Sequence, residues 1–215
     1  MKVKWLGHAS FMITSDEGVK IITDPYHTGR GLKYGEINES ADAVTVSHEH
    51  GDHNNTIVIG GNPQIISGAK SAEVKGVKIN GVATFHDGDM GNDRGNNTAF
   101  CFEVDGVHIC HLGDLGHKLT AKQASQIGTV EVLLIPTGGY YTIDATIATG
   151  VCNQLKPKVV IPMHFKNERC DFPISTVDEF LEGKKNVTRM NSSEIELNSG
   201  KFETETRIIV LKPAL

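Results

Sequence analysis

The 215-residue chain lacks the features that would place it in several broad classes. No apolar run approaches the about 18 residues needed for a membrane-spanning helix, which argues against an integral membrane protein. The amino-terminal stretch "MKVKWLGHASFMITSDEGVKIITDP" has no continuous apolar segment of the signal-peptide type and no obvious cleavage site, so a cytoplasmic location is expected. Its four cysteines, Cys101, Cys110, Cys152 and Cys170, form no CxxC pair, which points to reduced structural thiols over disulfides or a zinc ribbon. There is no block of basic residues, and the formal net charge is −5, so nothing suggests a surface for nucleic acid. Internal repeats, linkers and low-complexity tracts are also missing, and one domain spanning 1–215 is expected.

What the chain does have is glycine, 23 residues of it, often next to histidine or aspartate: Gly7-His8, Gly51-Asp52, Gly113-Asp114. Glycine in such places lets the backbone turn sharply beneath a site. Short apolar or alternating runs read as strands: "VKWL", "SFMIT", "VKIITD", "AVTVS", "QIIS", "TAFCFEV", "VHICHLGD", "VEVLLIP" and "KVVIPMH". Helical segments lie among and after them. In "LTAKQASQIG", Thr120 and Gln123 make a capping box and Gly128 a stop. In "TIDATIATGVCNQL", Ile143, Ile147, Val151 and Leu155 recur every fourth residue, with Thr142 as a suitable cap, and "STVDEFLEG" repeats the pattern. The last segment, around Asn198-Ser199-Gly200, reads as a terminal strand pair. Strands first and helices later imply sheets covered by helices, an α/β layered domain.

The strands end on unusual residues. "AVTVS" runs into His48, "VATF" into His86, "VHICHLG" into Asp114 and "KVVIP" into Met163-His164. Sites assembled on strand ends are common in layered α/β enzymes. Within "TVSHEHGDHNN", His48 and His50 are two apart and project the same way, so both reach one ion, while Asp52 and His53 follow a glycine that redirects the chain toward a second. Imidazole and carboxylate suit zinc, manganese, nickel or iron. The expected arrangement is His48, His50 and His86 on one metal, Asp52, His53 and His164 on another, and Asp114 bridging.

"HEHGDH", "FHD", "HLGD" and "PMH", in that order, resemble the metallo-β-lactamase superfamily. The stretches "WLGHASFMI", "IITDP", "RGNNTAFCFEVDG", "LLIPTGGYYTIDA" and "KPKVVIPMHF" are similar to small bacterial and archaeal metal-dependent hydrolases near the ascorbate-6-phosphate lactonase branch. The resemblance covers about residues 1 to 165. It implies a four-layer αββα sandwich with a dinuclear site at one edge of its paired sheets. Flavodiiron relatives carry glutamate at the second ligand position, where this chain has His50, which disfavours redox di-iron chemistry.

The expected activity is hydrolysis of a small ester-like bond, a lactone, phosphodiester or thioester, through a hydroxide bridging two divalent ions, zinc first among them. The alternative is a non-catalytic metal- or ligand-binding protein of the same fold, whose mark would be a missing ligand. Asp52 and Asp114 are expected to steer the hydroxide and His117 to protonate the leaving group, with His8 as its rival. Asp24 and His8 are expected behind the ligands, Asp24 fixing a histidine tautomer. Arg94, Asn97 and Tyr140 are the candidate substrate contacts, suited to a small anionic molecule. Neither nucleic acid nor membrane is expected as a partner, and a homo-oligomer is compatible with the sequence. His108 reads as a surface or packing residue and His111 as lying beneath the site.

Overall fold

The computed structural model describes residues 1–215. In chain order the strands are β1 (Lys2–Gly7), β2 (Ser10–Thr14), β3 (Lys20–Thr23), β4 (Ala43–Val46), β5 (Gln64–Ser67), β6 (Ser71–Val74), β7 (Val77–Phe85), β8 (Asn96–Val104), β9 (Val107–His111), β10 (Val132–Pro136), β11 (Val159–Met163), β12 (Val187–Arg189), β13 (Glu194–Glu196) and β14 (Arg207–Val210). The helices are α1 (Ala121–Ile127), α2 (Ala145–Leu155) and α3 (Val177–Leu181), with a single 3₁₀ turn at Thr56–Val58. No helix is long and apolar enough to cross a membrane.

Two mixed sheets face each other. The first has six strands in the order β13-β1-β2-β3-β4-β5, the second eight in the order β12-β14-β11-β10-β9-β8-β7-β6. Between them lies the largest apolar cluster, to which the first sheet contributes Val3, Trp5, Phe11 and Ile21 and the second Phe100, Phe102, Ile109, Leu134 and Ile161. These residues alternate along their strands with residues facing outward, so each sheet presents one complete apolar face to the other. The outer face of the eight-stranded sheet packs Leu133, Ile135 and Val160 against α1, α2 and α3 through Ile127, Ala148, Val151 and Phe180. The outer face of the six-stranded sheet is covered by Tyr26, Leu32, Tyr34, Ile37 and Ile59, which come from connecting segments. The expected α/β sandwich is present, and its fourth layer is irregular chain with one short 3₁₀ turn.

The capping box at Thr120 and Gln123 forms as the sequence implies. In α2 the cap is Asp144, whose carboxylate accepts from the Ile147 amide, so Thr142 lies outside the helix. Ile143 is buried ahead of the helix and bonds through its amide to Leu115 O. The terminal strand pair does not form. β13 adds to β1 in one sheet, while β14 inserts between β11 and β12 in the other, so residues 197–206 cross from sheet to sheet. The apolar alternation of this segment was real, but its partners were distant strands.

Candidate metal centre

Six strands deliver polar side chains to one edge of the sandwich. β1 is followed by His8, β3 by Asp24, β4 by Ser47 and His48, β7 by His86, β9 by Gly113 and Asp114, and β11 by His164. Three of these residues sit in the left-handed region: His8 (φ +52°), Asp24 (φ +40°) and His164 (φ +50°). Non-glycine residues are uncommon there and concentrate where a site over-determines the backbone. Cross-sheet bonds hold the edge together: Thr98 N donates to Ser47 O (2.9 Å) and His164 N to His8 O (3.2 Å).

Asp114 is the centre of the arrangement. Its Oδ2 lies 3.2 Å from His53 Nε2, 3.3 Å from His164 Nε2, 3.4 Å from His86 Nε2 and 4.0 Å from His48 Nε2. The ligand atoms of His48, His50 and His86 lie within 4.8 Å of one another, and so do those of His8, Asp52, His53 and His164. The structure therefore brings together all seven residues expected as ligands, and it adds His8 to the second group. His8 Nε2 is 3.2 Å from Asp52 Oδ2, and its ring centroid is 4.1 Å from that of His164.

The hydrogen bonds behind the cluster fix which nitrogens face inward. Asp24 Oδ2 accepts from His53 Nδ1 (2.9 Å) and from Ser47 Oγ (2.5 Å), and its Oδ1 accepts from Ser47 N (2.8 Å). Because Ser47 Oγ gives its only proton to Asp24, it must accept from His48 Nδ1 at 2.9 Å. A single buried carboxylate thus sets the tautomer of two imidazoles and turns both Nε2 lone pairs toward Asp114. Ser47 escaped the sequence reading, since a serine before the first histidine of the motif gives no signal of its own. Asn97 is another case. It was expected to meet substrate, but it is buried, donating through Nδ2 to Leu112 O and Thr84 Oγ1 and accepting from the Asp114 amide through Oδ1 (3.0 Å). Its place in β8 turns it inward beneath the Asp114 turn, where it holds that backbone.

His117 is also corrected. Its Nε2 accepts from the Phe85 amide (3.1 Å) and its Nδ1 donates to Lys118 O (2.9 Å), so both nitrogens are committed to the backbone and neither is free to protonate a leaving group. Tyr140 is 67% exposed, its ring edge-on to that of Tyr141 at 4.7 Å, and it is Tyr141 that lines the cleft. Arg94 does reach the cleft, with its guanidinium 5.7 Å from the centre of the Tyr141 ring. The loop that carries it is organised by buried Asp87, whose carboxylate accepts from the amides of Asp89, Gly91, Asp93 and Arg94 at 2.8 to 3.1 Å. His111 lies beneath the site as expected, donating from Nε2 to Ala9 O, and His108 is exposed beside Glu131.

The electrostatics follow from this crowding. Burial alone would raise the Asp114 carboxyl, but the charges of His164 and His53 outweigh it and hold the group well below the usual carboxylate range. Asp52 is displaced downward for the same reason by His53 and His8. Burial lowers His48 to about 3 and His8 to about 4, so both imidazoles are neutral at pH 7. In His53 burial is overcome by Asp114 and Asp52, which push its value well above normal. A divalent cation competes with the proton for His53 Nε2, and ionised carboxylates with inward-turned imidazoles are its donor set. Buried atoms without a protein partner include His48 Nε2, His53 Nε2, His164 Nε2 and Asp114 Oδ1. These are the lone pairs that a cation would satisfy, so the residues fit the group.

A cleft of about 310 Å³ opens over these atoms, bounded by Asp93, Arg94, Tyr141 and Phe172. Two glycines allow the loops to close beneath it. A Cβ on Gly116 would lie 2.2 Å from Asp87 N, and one on Gly138 would lie 2.3 Å from His164 O.

Comparison with known proteins places the fold in a family. The model of the β-lactamase superfamily domain matches residues 2–164. A UPF0173 metal-dependent hydrolase of Pelotomaculum thermopropionicum is 32% identical over 93% of this chain and 97% of its own length. The crystal structure of a candidate Zn-dependent hydrolase of the metallo-β-lactamase superfamily from Thermotoga maritima is 38% identical, covers 98% of this chain and 97% of that one, and superposes with a TM-score of 0.83. The fold alone reaches further, to a diiron β-hydroxylase of Streptomyces venezuelae at 13% identity and a TM-score of 0.52, covering 76% of this chain and 44% of that one. Fold therefore does not choose the chemistry. With the family model spanning three quarters of its length and close relatives matched almost end to end, the chain belongs to the metallo-β-lactamase superfamily, among the UPF0173 metal-dependent hydrolases.

Proposed function

We propose that the protein is a dinuclear metal-dependent hydrolase that cleaves a small ester-like bond, in a lactone, phosphodiester or thioester, of an anionic metabolite. The observation that carries this reading is the position of Asp114 Oδ2 between two ligand groups, within 3.4 Å of Nε2 atoms from both. His48, His50 and His86 would hold one ion, Asp52, His53 and His164 the other, with Asp114 shared; zinc suits this nitrogen-rich set best. When bound, two such ions supply a nucleophilic water at neutral pH and polarise the oxygen on which charge develops.

The protein's own groups do the rest. Asp52 is the one carboxylate of the cluster that stays partly exposed, with 27% of its side chain accessible, and its low proton affinity suits it to orient the attacking water by accepting a hydrogen bond. Arg94, seated over Tyr141, binds an anionic group through a forked contact. Phe172 and Tyr141 limit access of bulk water to the cleft.

The test is turnover of a panel of lactones, phosphodiesters and thioesters by protein stripped of metal and reloaded with zinc, manganese or nickel. Metal-dependent turnover of at least one class is expected. Protein that takes up metal and turns over none of them would favour the non-catalytic metal-binding reading instead.

A further inference from the structure

The cleft continues past the cluster. Asp52 and Phe172, which bound it on one side, also line a second cavity of about 490 Å³ whose far wall is the turn carrying His27, Thr28 and Arg30. This turn is fixed in place. Gly29 and Leu32 exchange two backbone bonds (2.8 and 2.9 Å), His27 N donates to Gly51 O (3.0 Å), and Asp171 N donates to Gly31 O (2.8 Å). Gly31, at φ +101°, packs against Phe172 so closely that a Cβ would lie 3.0 Å from the ring.

What the turn offers is unspent donor capacity. The amides of Thr28, Arg30 and Gly31 have no acceptor within the protein. Arg189 and Arg207 are paired with carboxylates, whereas Arg30, like Arg94, forms no ion pair. Asp52 is the only carboxylate on this cavity, and its Oδ2 is turned into the cluster, 3.2 Å from His8 Nε2 and 3.6 Å from His53 Nε2. A guanidinium, an imidazole and free amides of a tight turn together complement an anion.

The geometry points to a second anion subsite in this cavity, formed by His27, Thr28 and Arg30, which takes a carboxylate or phosphate of a small substrate whose other anionic group sits at Arg94. The inference rests on the reading of the cleft as a hydrolase active site and narrows its substrate to small molecules with negative charge on both sides of the bond cleaved. The two arms meet at Asp52, the carboxylate that faces the reacting bond.

Glutarate and butyrate, one dianion and one monoanion of similar length, serve as probes on the zinc-loaded full chain, followed by backbone amide NMR. Glutarate is expected to shift the amides of Thr28, Arg30 and Gly31 and to bind roughly tenfold more tightly than butyrate, as one added charge-assisted contact implies. Arg30→Asn keeps a residue that tolerates the left-handed backbone at this position, where φ is +50°, and should bring that preference close to unity. Equal binding of the two acids, shifts confined to residues near Arg94, or a preference unchanged by Arg30→Asn would each overturn the subsite. Turnover is read separately on the panel of lactones, phosphodiesters and thioesters. If no member of the panel is cleaved while the dianion preference and its loss in Arg30→Asn persist, the hydrolase reading fails and the anion subsite stands.

Discussion

Asp24 illustrates how one side chain can govern a centre without touching it. It accepts three hydrogen bonds, two of them ending a chain of protons that begins on His48 and His53, and burial of its charge is offset by those histidines, which keep its pKa low. Asp24→Asn preserves the shape and the left-handed backbone but removes the charge and one acceptor. Metal affinity, measured by competition with a chromogenic chelator, should fall about 10- to 100-fold. Unchanged affinity would mean that the tautomers of His48 and His53 are set by something else. Asn97 makes a different prediction because its role is in the backbone. Asn97→Ala strands the Asp114 amide and the Leu112 carbonyl in a buried place, and unfolding in urea should show a loss of about 2–3 kcal/mol. An exposed substrate contact would change stability by less than about 0.5 kcal/mol. At this scale the sequence was legible where chemistry restricts residue type: the histidines and aspartates that converge on one edge, and Asp24 before Pro25. It was not legible where the answer depends on which way a strand faces. Asn97 and Asn96 are neighbours in β8, and only the register decides that the first turns inward under Asp114.

The element that presents Arg94 is the loop from Asp87 to Gly95, and it folds around one carboxylate. Burial raises the Asp87 pKa, but four backbone amides more than compensate and bring it to about 2. The folded value lies below that of an unfolded aspartate, about 3.9, so the stabilisation is complete above about pH 4 and is lost as pH falls toward 2. Asp87→Asn should therefore be less stable than the parent at neutral pH, and the gap in urea midpoint should close between about pH 4 and pH 2. A gap that stays constant across this range would show that the carboxylate charge does not hold the loop. The same variant should raise KM for an anionic substrate more than it lowers kcat, because the loop positions a binding group. The acid- and glycine-rich string "DGDMGNDRG" is the mark of this loop, and an aspartate at its first position was the available signal. The end of the chain was harder to read for a related reason. β13 and β14 have the composition of a hairpin, yet each finds its partner in a strand far away in sequence, and local pattern carries no information about such pairing.

In the molecule as a whole, the two sheets share one interior, and the candidate metal centre lies where their strand ends converge, so distant loops must approach within contact distance. Gly116 is the tightest of these approaches, with no room for a Cβ beside the backbone of His86 and Asp87. Gly116→Ala should cost about 3 kcal/mol or more, beyond the usual range for overpacking because the obstacle is backbone, and should also lower metal uptake. Retention of both stability and metal would show that the loops close with more freedom than this packing allows. The sandwich was foreshadowed by nine strand-like runs and its site edge by four strands that run into histidine or aspartate, whereas the irregular layer over the six-stranded sheet had no periodicity by which to be recognised.

The most direct test of the account is the number of metal ions that the site holds. Metal-free protein titrated with zinc, with bound metal measured by elemental analysis and turnover followed on the best substrate of the panel, should saturate at two ions per chain, and Asp114→Ala should fail to reach that number while remaining folded. Saturation at one ion with full turnover, or two ions and wild-type turnover in Asp114→Ala, would contradict a dinuclear centre built around Asp114.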